Sequence, residues 1–311
     1  MDARMADSPT DTTRVFQQIH IDVARNSTDD FNPFHDGDKW DRIRGNPFGG
    51  PIVLGFQLES LAEDLVNAVR RAEGGHEDTA LPFRNYQFTF AGALRTDEAF
   101  TTVVKPSVRR TASAGSPQVA NRVVMRKGDG LVLLGHVRDT QTPLALADAT
   151  LPLPAQTPLE QLEDRSVIAD SGWFHKRKFM SNGNAKNLLA GSLVHQADYF
   201  DELEDCVNFP DMFPVSLISC ALLERAHATG HDFYAQPLVY TTHHISVDRR
   251  LVRGLRSADA LHILVSPPEY VAPADRGLVK PGTGQQRYRC LGLLADSSVL
   301  FRADLTLAPI G

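Results

Sequence analysis

A pattern that occurs twice constrains this chain most: one long helix with a single apolar stripe, followed by a run of short strand-like stretches. The first instance starts after Gly49-Gly50-Pro51, where IVLGFQLESLAEDLVNAVRRAEGG carries Ile52, Phe56, Leu58, Leu61, Leu65, Val66 and Val69 at roughly helical spacing. A proline near its start and Gly74-Gly75 at its end predict one helix of about five or six turns. Four stretches rich in β-branched and aromatic residues follow, Phe83 to Phe90, Ala99 to Val108, Asn121 to Arg126 and Leu131 to Arg138, with a fifth candidate near Ala147 to Leu153. Lys127-Gly128-Asp129-Gly130 supplies a hairpin turn with glycines free to take positive φ. The second instance opens with a strand candidate at Trp173 to Met180 and has its helix at Val215 to Ala228. Strands are predicted after it at Leu238 to Val247, Leu261 to Val265, Tyr288 to Leu294 and Val299 to Leu307.

Setting Pro51 on Pro214 aligns PIVLGFQLESL with PVSLISCALLE, and the strands after each helix then fall in comparable places. A duplicated unit explains this most simply; two unrelated α+β domains are the alternative. With 42% hydrophobic residues the 311-residue chain can bury one large core or two cores of about 150 residues each. A Pro-rich stretch, Leu151 to Pro158, separates the units, giving a polar tail over residues 1–13 and domains at 14–155 and 156–311. In the first domain RVFQQIHIDVA, Arg14 to Ala24, alternates imperfectly and is predicted as a strand leading into a loop rich in Asn, Ser, Thr and Asp. A sheet with one apolar face can wrap a single helix, and two such sheets can pair along their edges, so the chain should form an intramolecular pseudo-dimer, alone or as a homodimer.

Charge and composition exclude several classes. With 32 Lys plus Arg against 38 Asp plus Glu the net charge is −6, which provides no global field for a nucleic acid. Cys206, Cys220 and Cys290 are too few and too far apart for a disulfide framework or a zinc site, so a reducing, cytoplasmic setting is expected. No apolar run fits a signal peptide or a membrane span. His227 and His231 lack a third ligand, and no metal is expected. Adjacent His243 and His244 would face opposite sides of a strand, so one of them could face the interface between the units. Dinucleotide, P-loop, serine-hydrolase and zincin motifs are absent.

The loop before the first helix reads Ser27-Thr28-Asp29-Asp30-Phe31-Asn32-Pro33-Phe34-His35. By itself D-x-N-P-x-H could be a turn whose Asp and Asn satisfy backbone amides. It also places a carboxylate near an imidazole, a pair that can orient one water and move its proton. This core resembles the signature of the MaoC-like, or (R)-specific enoyl-thioester hydratase, family, and Pro51-Ile52-Val53-Leu54-Gly55-Phe56 resembles that family's P-I-V-H-G-[MF] segment. The close resemblance covers about residues 23 to 61. It implies an α+β double hotdog fold and a hydratase or dehydratase acting on acyl-CoA or acyl-carrier-protein thioesters, with no cofactor beyond the coenzyme A or phosphopantetheine of the substrate. It further implies that Asp30 and His35 share the water, that Asn32 holds the loop or the water, and that the Gly55 N–H donates to the thioester oxygen. Phe34, Pro51, Ile52 and Leu54 are then expected to bind substrate.

Three positions depart from the family pattern: Asp29 stands for a glycine, Leu54 for a histidine and Asp41 for a small residue. Asp29 could raise the pKa of a neighbouring carboxylate if both faced one pocket. In the second unit Ile218 aligns with Gly55 and no D-x-N-P-x-H precedes the helix, so one active site per chain is expected. Phe209, Met212 and Phe213 at that helix entry suit the apolar wall of an acyl-tail site, or ordinary core. Arg249, Arg250, Arg253 and Arg256 form a basic cluster able to meet phosphates or to sit in solvent. Two other functions remain open: a hotdog thioesterase or acyltransferase, and a non-catalytic acyl-thioester-binding partner.

Overall fold

The structure is a computed structural model and describes residues 12–75, 80–111, 116–146, 158–169, 171–272, 278–280 and 282–310. Nearly all of the expected tail, the strand candidate at 147–153 and most of the Pro-rich junction lie outside the described residues. The first half runs β1 (Arg14–Val15), α1 (Gln18–Thr28), α2 (Gly55–Ala72), β2 (Phe83–Phe90), β3 (Ala99–Val104), β4 (Val108–Thr111), β5 (Pro117–Lys127) and β6 (Gly130–Thr140). The second runs β7 (Ser166–Val167), β8 (Phe174–Phe179), α3 (Asn182–Gly191), a short pair β9 (Phe200–Asp201) and β10 (Cys206–Val207), α4 (Met212–Ser216) and α5 (Ile218–Ala228). It continues through β11 (Leu238–Asp248), α6 (Arg249–Gly254), β12 (Ala260–Val265), β13 (Glu269–Val271), β14 (Gln285–Leu294) and β15 (Val299–Pro309).

One antiparallel sheet spans both halves. From its centre outward the first half is ordered β2-β6-β5-β3-β1 and the second β11-β15-β14-β12-β8. With the main strands of each half counted along the chain, both orders are second, fifth, fourth, third, first. The duplication read from Pro51 and Pro214 therefore extends to topology. The halves join where β2 pairs with β11, from Phe83 opposite Asp248 to Thr89 opposite Thr242, so each half covers the edge the other would expose. The long helix α2 packs its stripe of Phe56, Leu58, Leu61, Ala62, Leu65 and Val66 into a core that runs without a break from one half into the other. Each fully buried Leu or Phe contributes roughly 1.5–3 kcal/mol.

The segment predicted as a strand over 14–24 is a strand only at Arg14–Val15 and then becomes α1. Its buried residues, Ile21, Ala24, Ser27 and Thr28, recur three or four apart, and His20 Nδ1 caps the helix by accepting the Gln17 N–H at 2.9 Å. The second half repeats it as α3, which the sequence reading did not anticipate. Helices α1 and α3 cross closely at Gly191, where a Cβ would lie 2.7 Å from the His20 carbonyl oxygen and 3.0 Å from Ala24 Cβ. The buried Gln57 amide binds this crossing to α2: its Nε2 donates to His20 O at 3.1 Å and Gly191 O at 2.8 Å, while its Oε1 accepts the Leu54 N–H at 3.0 Å. The strand expected over 99–108 is split at Pro106, which has no N–H for the ladder. The helix expected over 215–228 starts earlier, as α4, and is divided at Leu217.

Candidate active site

The D-x-N-P-x-H loop begins where α1 ends. Asp29 takes the left-handed conformation, φ 55°, as the C-cap of α1, which accounts for glycine being usual there; aspartate is among the few other residues that tolerate it. Its side chain is turned outward and pairs with Lys178 of β8. Asp29 and Asp30 therefore do not face one pocket, the condition on which a like-charge effect between them was expected.

Asp30 is buried and uses both oxygens: Oδ1 accepts the Asn32 N–H at 2.9 Å and Oδ2 accepts the Ser219 hydroxyl of α5. Asn32 caps the single 3-10 turn Pro33–His35 by accepting the Phe34 N–H at 3.1 Å. Arg25 of α1 clamps the loop from outside, donating to the Asp30 carbonyl at 3.3 Å and to Asp36 at 2.9 Å. Against the effect of its burial, the Asp38 N–H, Lys39 and Arg25 hold the Asp36 carboxyl down at about 2.

His35 is buried, and its Nδ1 lies 2.7 Å from the Ile52 carbonyl oxygen. A carbonyl only accepts, so Nδ1 carries the proton and Nε2 keeps its lone pair. Burial, the largest influence, lowers the His35 pKa with some help from Arg25, while the charge of Asp30 and the Ile52 carbonyl oppose the shift. The ring is therefore neutral near pH 7, the form a base requires. The Ile52 N–H returns a bond to Phe34 O at 3.0 Å and the Val53 N–H one to Leu94 O at 2.8 Å, so the loop, the approach to α2 and the segment that follows β2 are joined.

His35, Asn32 and Gly55 line one cavity of about 100 Å³, several times what a single water needs. Gly55 is the first residue of α2, where the N–H has no intrahelical acceptor and the dipole favours negative charge. A Cβ there would lie 3.0 Å from Phe90 Cζ and 3.7 Å from Tyr240 Cδ2, so glycine is the residue that fits. Leu222, Leu223 and Ala226 of α5, with Val239 and Leu278, give the far wall an apolar surface.

Of the four residues expected to bind substrate, Phe34 and Ile52 line this cavity, whereas Leu54 is turned into the core and Pro51 is not among the lining residues. Phe209 and Phe213 lie elsewhere: Phe213 is fully buried, stacked on Phe209, and Phe209 lines a different cavity. The apolar wall comes instead from residues that sequence reasoning did not single out. Ser219 and Tyr240 were missed as well. Both belong to the second half and line the cavity; Ser219 also bonds to the hydroxyl of the half-buried Tyr240, linking it to Asp30. The alignment of Ile218 with Gly55 was the one available signal, since Ser219 directly follows it. Of the two adjacent histidines, His243 faces inward, packed against Phe56, Phe90 and Tyr240 and 2.9 Å from Glu59. Among the described residues no group of three or more His, Cys, Asp or Glu is placed to hold a metal ion, and no helix is long and apolar enough to cross a membrane.

No protein-family model and no curated protein matches the sequence. Solved structures do match along nearly the whole chain. A protein described as a MaoC domain dehydratase from Chloroflexus aurantiacus has TM-score 0.59 at 11% identity, covering 96% of this chain and 93% of its own. A conserved hypothetical protein of Mycobacterium tuberculosis, described as having a double hotdog fold, has TM-score 0.58 at 12% identity over 96% of this chain and 94% of its own. A MaoC-like dehydratase gives TM-score 0.57 at 9% identity, with 97% and 96% covered. The chain is thus an α+β double-hotdog protein. Its fold is the one found in MaoC-like dehydratases.

Proposed function

We propose that this protein interconverts 2-enoyl and 3-hydroxyacyl thioesters, with coenzyme A or phosphopantetheine arriving as part of the substrate. One observation carries the reading. A neutral His35, its tautomer set by the Ile52 carbonyl, lines one cavity with Gly55 at the amide end of α2, and the buried Asp30, which is not among the lining residues, accepts the hydroxyl of Ser219, which is. In hydration, His35 Nε2 takes a proton from water as the water oxygen bonds to C3. The π electrons move to the thioester oxygen, which accepts the Gly55 N–H, and C2 then regains a proton from the Asp30/His35 pair. A donor at the developing charge contributes about 3 kcal/mol to lowering such a barrier. Asp30 orients the water, and the α5 side of the cavity suits an apolar acyl chain.

The test is a panel of enoyl-, 3-hydroxyacyl- and saturated acyl-CoA esters, followed by enoyl absorbance and free thiol. Enoyl turnover is expected, reduced at least about a hundredfold by Asp30→Asn or His35→Ala with folding retained. Release of free thiol from saturated esters without enoyl turnover would identify a thioesterase instead. Binding without any turnover would identify an acyl-thioester-binding partner.

A further inference from the structure

The internal repeat gives the cavity at the start of α2 a counterpart at the opposite end of the β2–β11 pair. It lies between the chain entering α4, Asn208 to Asp211, and the second half of α2, with Arg84 of β2, Asp139 of β6 and two arginines of α6 around it. At about 770 Å³ it falls in the size range of sites for small organic ligands. Among the described residues no histidine lines it, and its chemistry is that of guanidinium.

Six guanidiniums surround it, those of Arg70, Arg71, Arg84, Arg109, Arg249 and Arg253. The three deepest share two carboxylates. Asp139 binds Arg70 at 2.6 Å and Arg84 at 2.8 Å with Arg249 3.9 Å away, and Asp211 lies 3.5 Å from Arg249 and 3.9 Å from Arg84. A third buried acid, Glu63, accepts the Asp211 and Met212 N–H groups at 2.9 and 3.0 Å. Burial and the charge of Asp211 push Glu63 up to about 8, so it is mostly protonated at neutral pH and compensates little of the positive charge. Burial presses Arg249 down to about 10, opposed by Glu63 and joined by Arg253 and Arg70. Arg71, Arg109 and Arg253 are exposed, Arg71 pairs with Asp198 at 3.0 Å, and Glu73 also lines the cavity, so six guanidiniums face five carboxyls, Glu63 among them; Tyr199, Phe209, Val119 and Val252 supply apolar surface. The basic cluster seen in the sequence is split here: Arg249 and Arg253, one turn apart, face this cavity, while Arg250 pairs with Asp248.

We propose that this second cavity binds an organic oxyanion, a phosphate or carboxylate on a small aromatic or apolar body. The anion would join Arg109 and Arg253, which also interact within the protein, and the body would lie against Tyr199 and Phe209. Guanidinium forks match planar oxyanions with two parallel hydrogen bonds, and a positive surplus inside a cleft draws anions in. The site is independent of the reaction assigned to the first cavity.

Calorimetric titration of the full-length protein with phenyl phosphate, phthalate and uncharged phenol tests this. At least one anion should bind, and phenol should not. Arg109→Ala combined with Arg253→Ala should weaken binding at least about tenfold, because each forked contact is charge-assisted. Both positions are exposed, and melting curves verify folding. His35→Ala, in the first cavity, and Arg256→Ala, outside both, should leave binding unchanged. Preference for phenyl phosphate or phthalate assigns the phosphate or carboxylate source. No anion binding, equal binding of phenol, or losses as large with Arg256→Ala or His35→Ala would overturn the proposal.

Discussion

Both oxygens of Asp30 are held, one by the Asn32 amide in its own loop and one by Ser219 from the other half of the molecule. The carboxylate thus has one orientation, and a hydroxyl worth about 1.5–3 kcal/mol in a charge-assisted bond helps to set it. Ser219→Ala should lower kcat about tenfold or more with little change in KM, and Ser219→Thr should recover part of the loss. Equal effects on kcat and melting temperature, without rescue, would assign Ser219 to stability alone. A second prediction concerns His35, whose pKa lies below the ordinary 6.5. In the proposed reaction His35 is the base, so the acid limb of the kcat/KM profile should fall below that value. The folded ring also binds fewer protons than the unfolded one between its depressed pKa and 6.5, so stability should fall as pH drops through that window. His35→Ala should flatten this fall in urea titrations.

At the scale of elements, the meeting of α1 and α3 matters most for the site, because Gln57 fixes the start of α2 to it. Gly191→Val would drive a side chain into the His20 carbonyl and should cost about 1–3 kcal/mol. It should also lower turnover by shifting Gly55, which paired chemical-denaturation and rate measurements would reveal. These two helices were the least legible part of the sequence. Half of the buried stripe of α1 is Ser27 and Thr28, whose hydroxyls bond back to Ala24 O at 2.8 and 3.0 Å, so the apolar period is hidden. In α3 the sequence NGNAKNLLAG has weak helical propensity, and packing against α1 supplies what propensity does not. The strands could be read because their alternation is strong: Phe83–Phe90 was placed to the residue, and the Lys127 to Gly130 turn joins β5 to β6. Asp30, Asn32, His35 and Gly55 could be named as candidates because they lie close along the chain. Ser219 and Tyr240 could not, since only folding brings them near.

At the scale of the whole molecule, the β2–β11 pairing makes the two halves dependent on each other. Residues 14–155 expressed alone would expose the β2 edge and lose the α5 wall of the first cavity. Such a fragment should self-associate or aggregate, and size-exclusion chromatography showing a stable, folded monomer would refute this. Adding residues 156–311 as a separate chain should restore a one-to-one complex. The junction has one more consequence. In an assembly of identical subunits any substitution is printed twice, and a change that suits one mouth is imposed on its twin. Here the twins are spelled by different stretches of a single polypeptide, so Ile218 could take the place that Gly55 holds opposite without the first site losing its glycine.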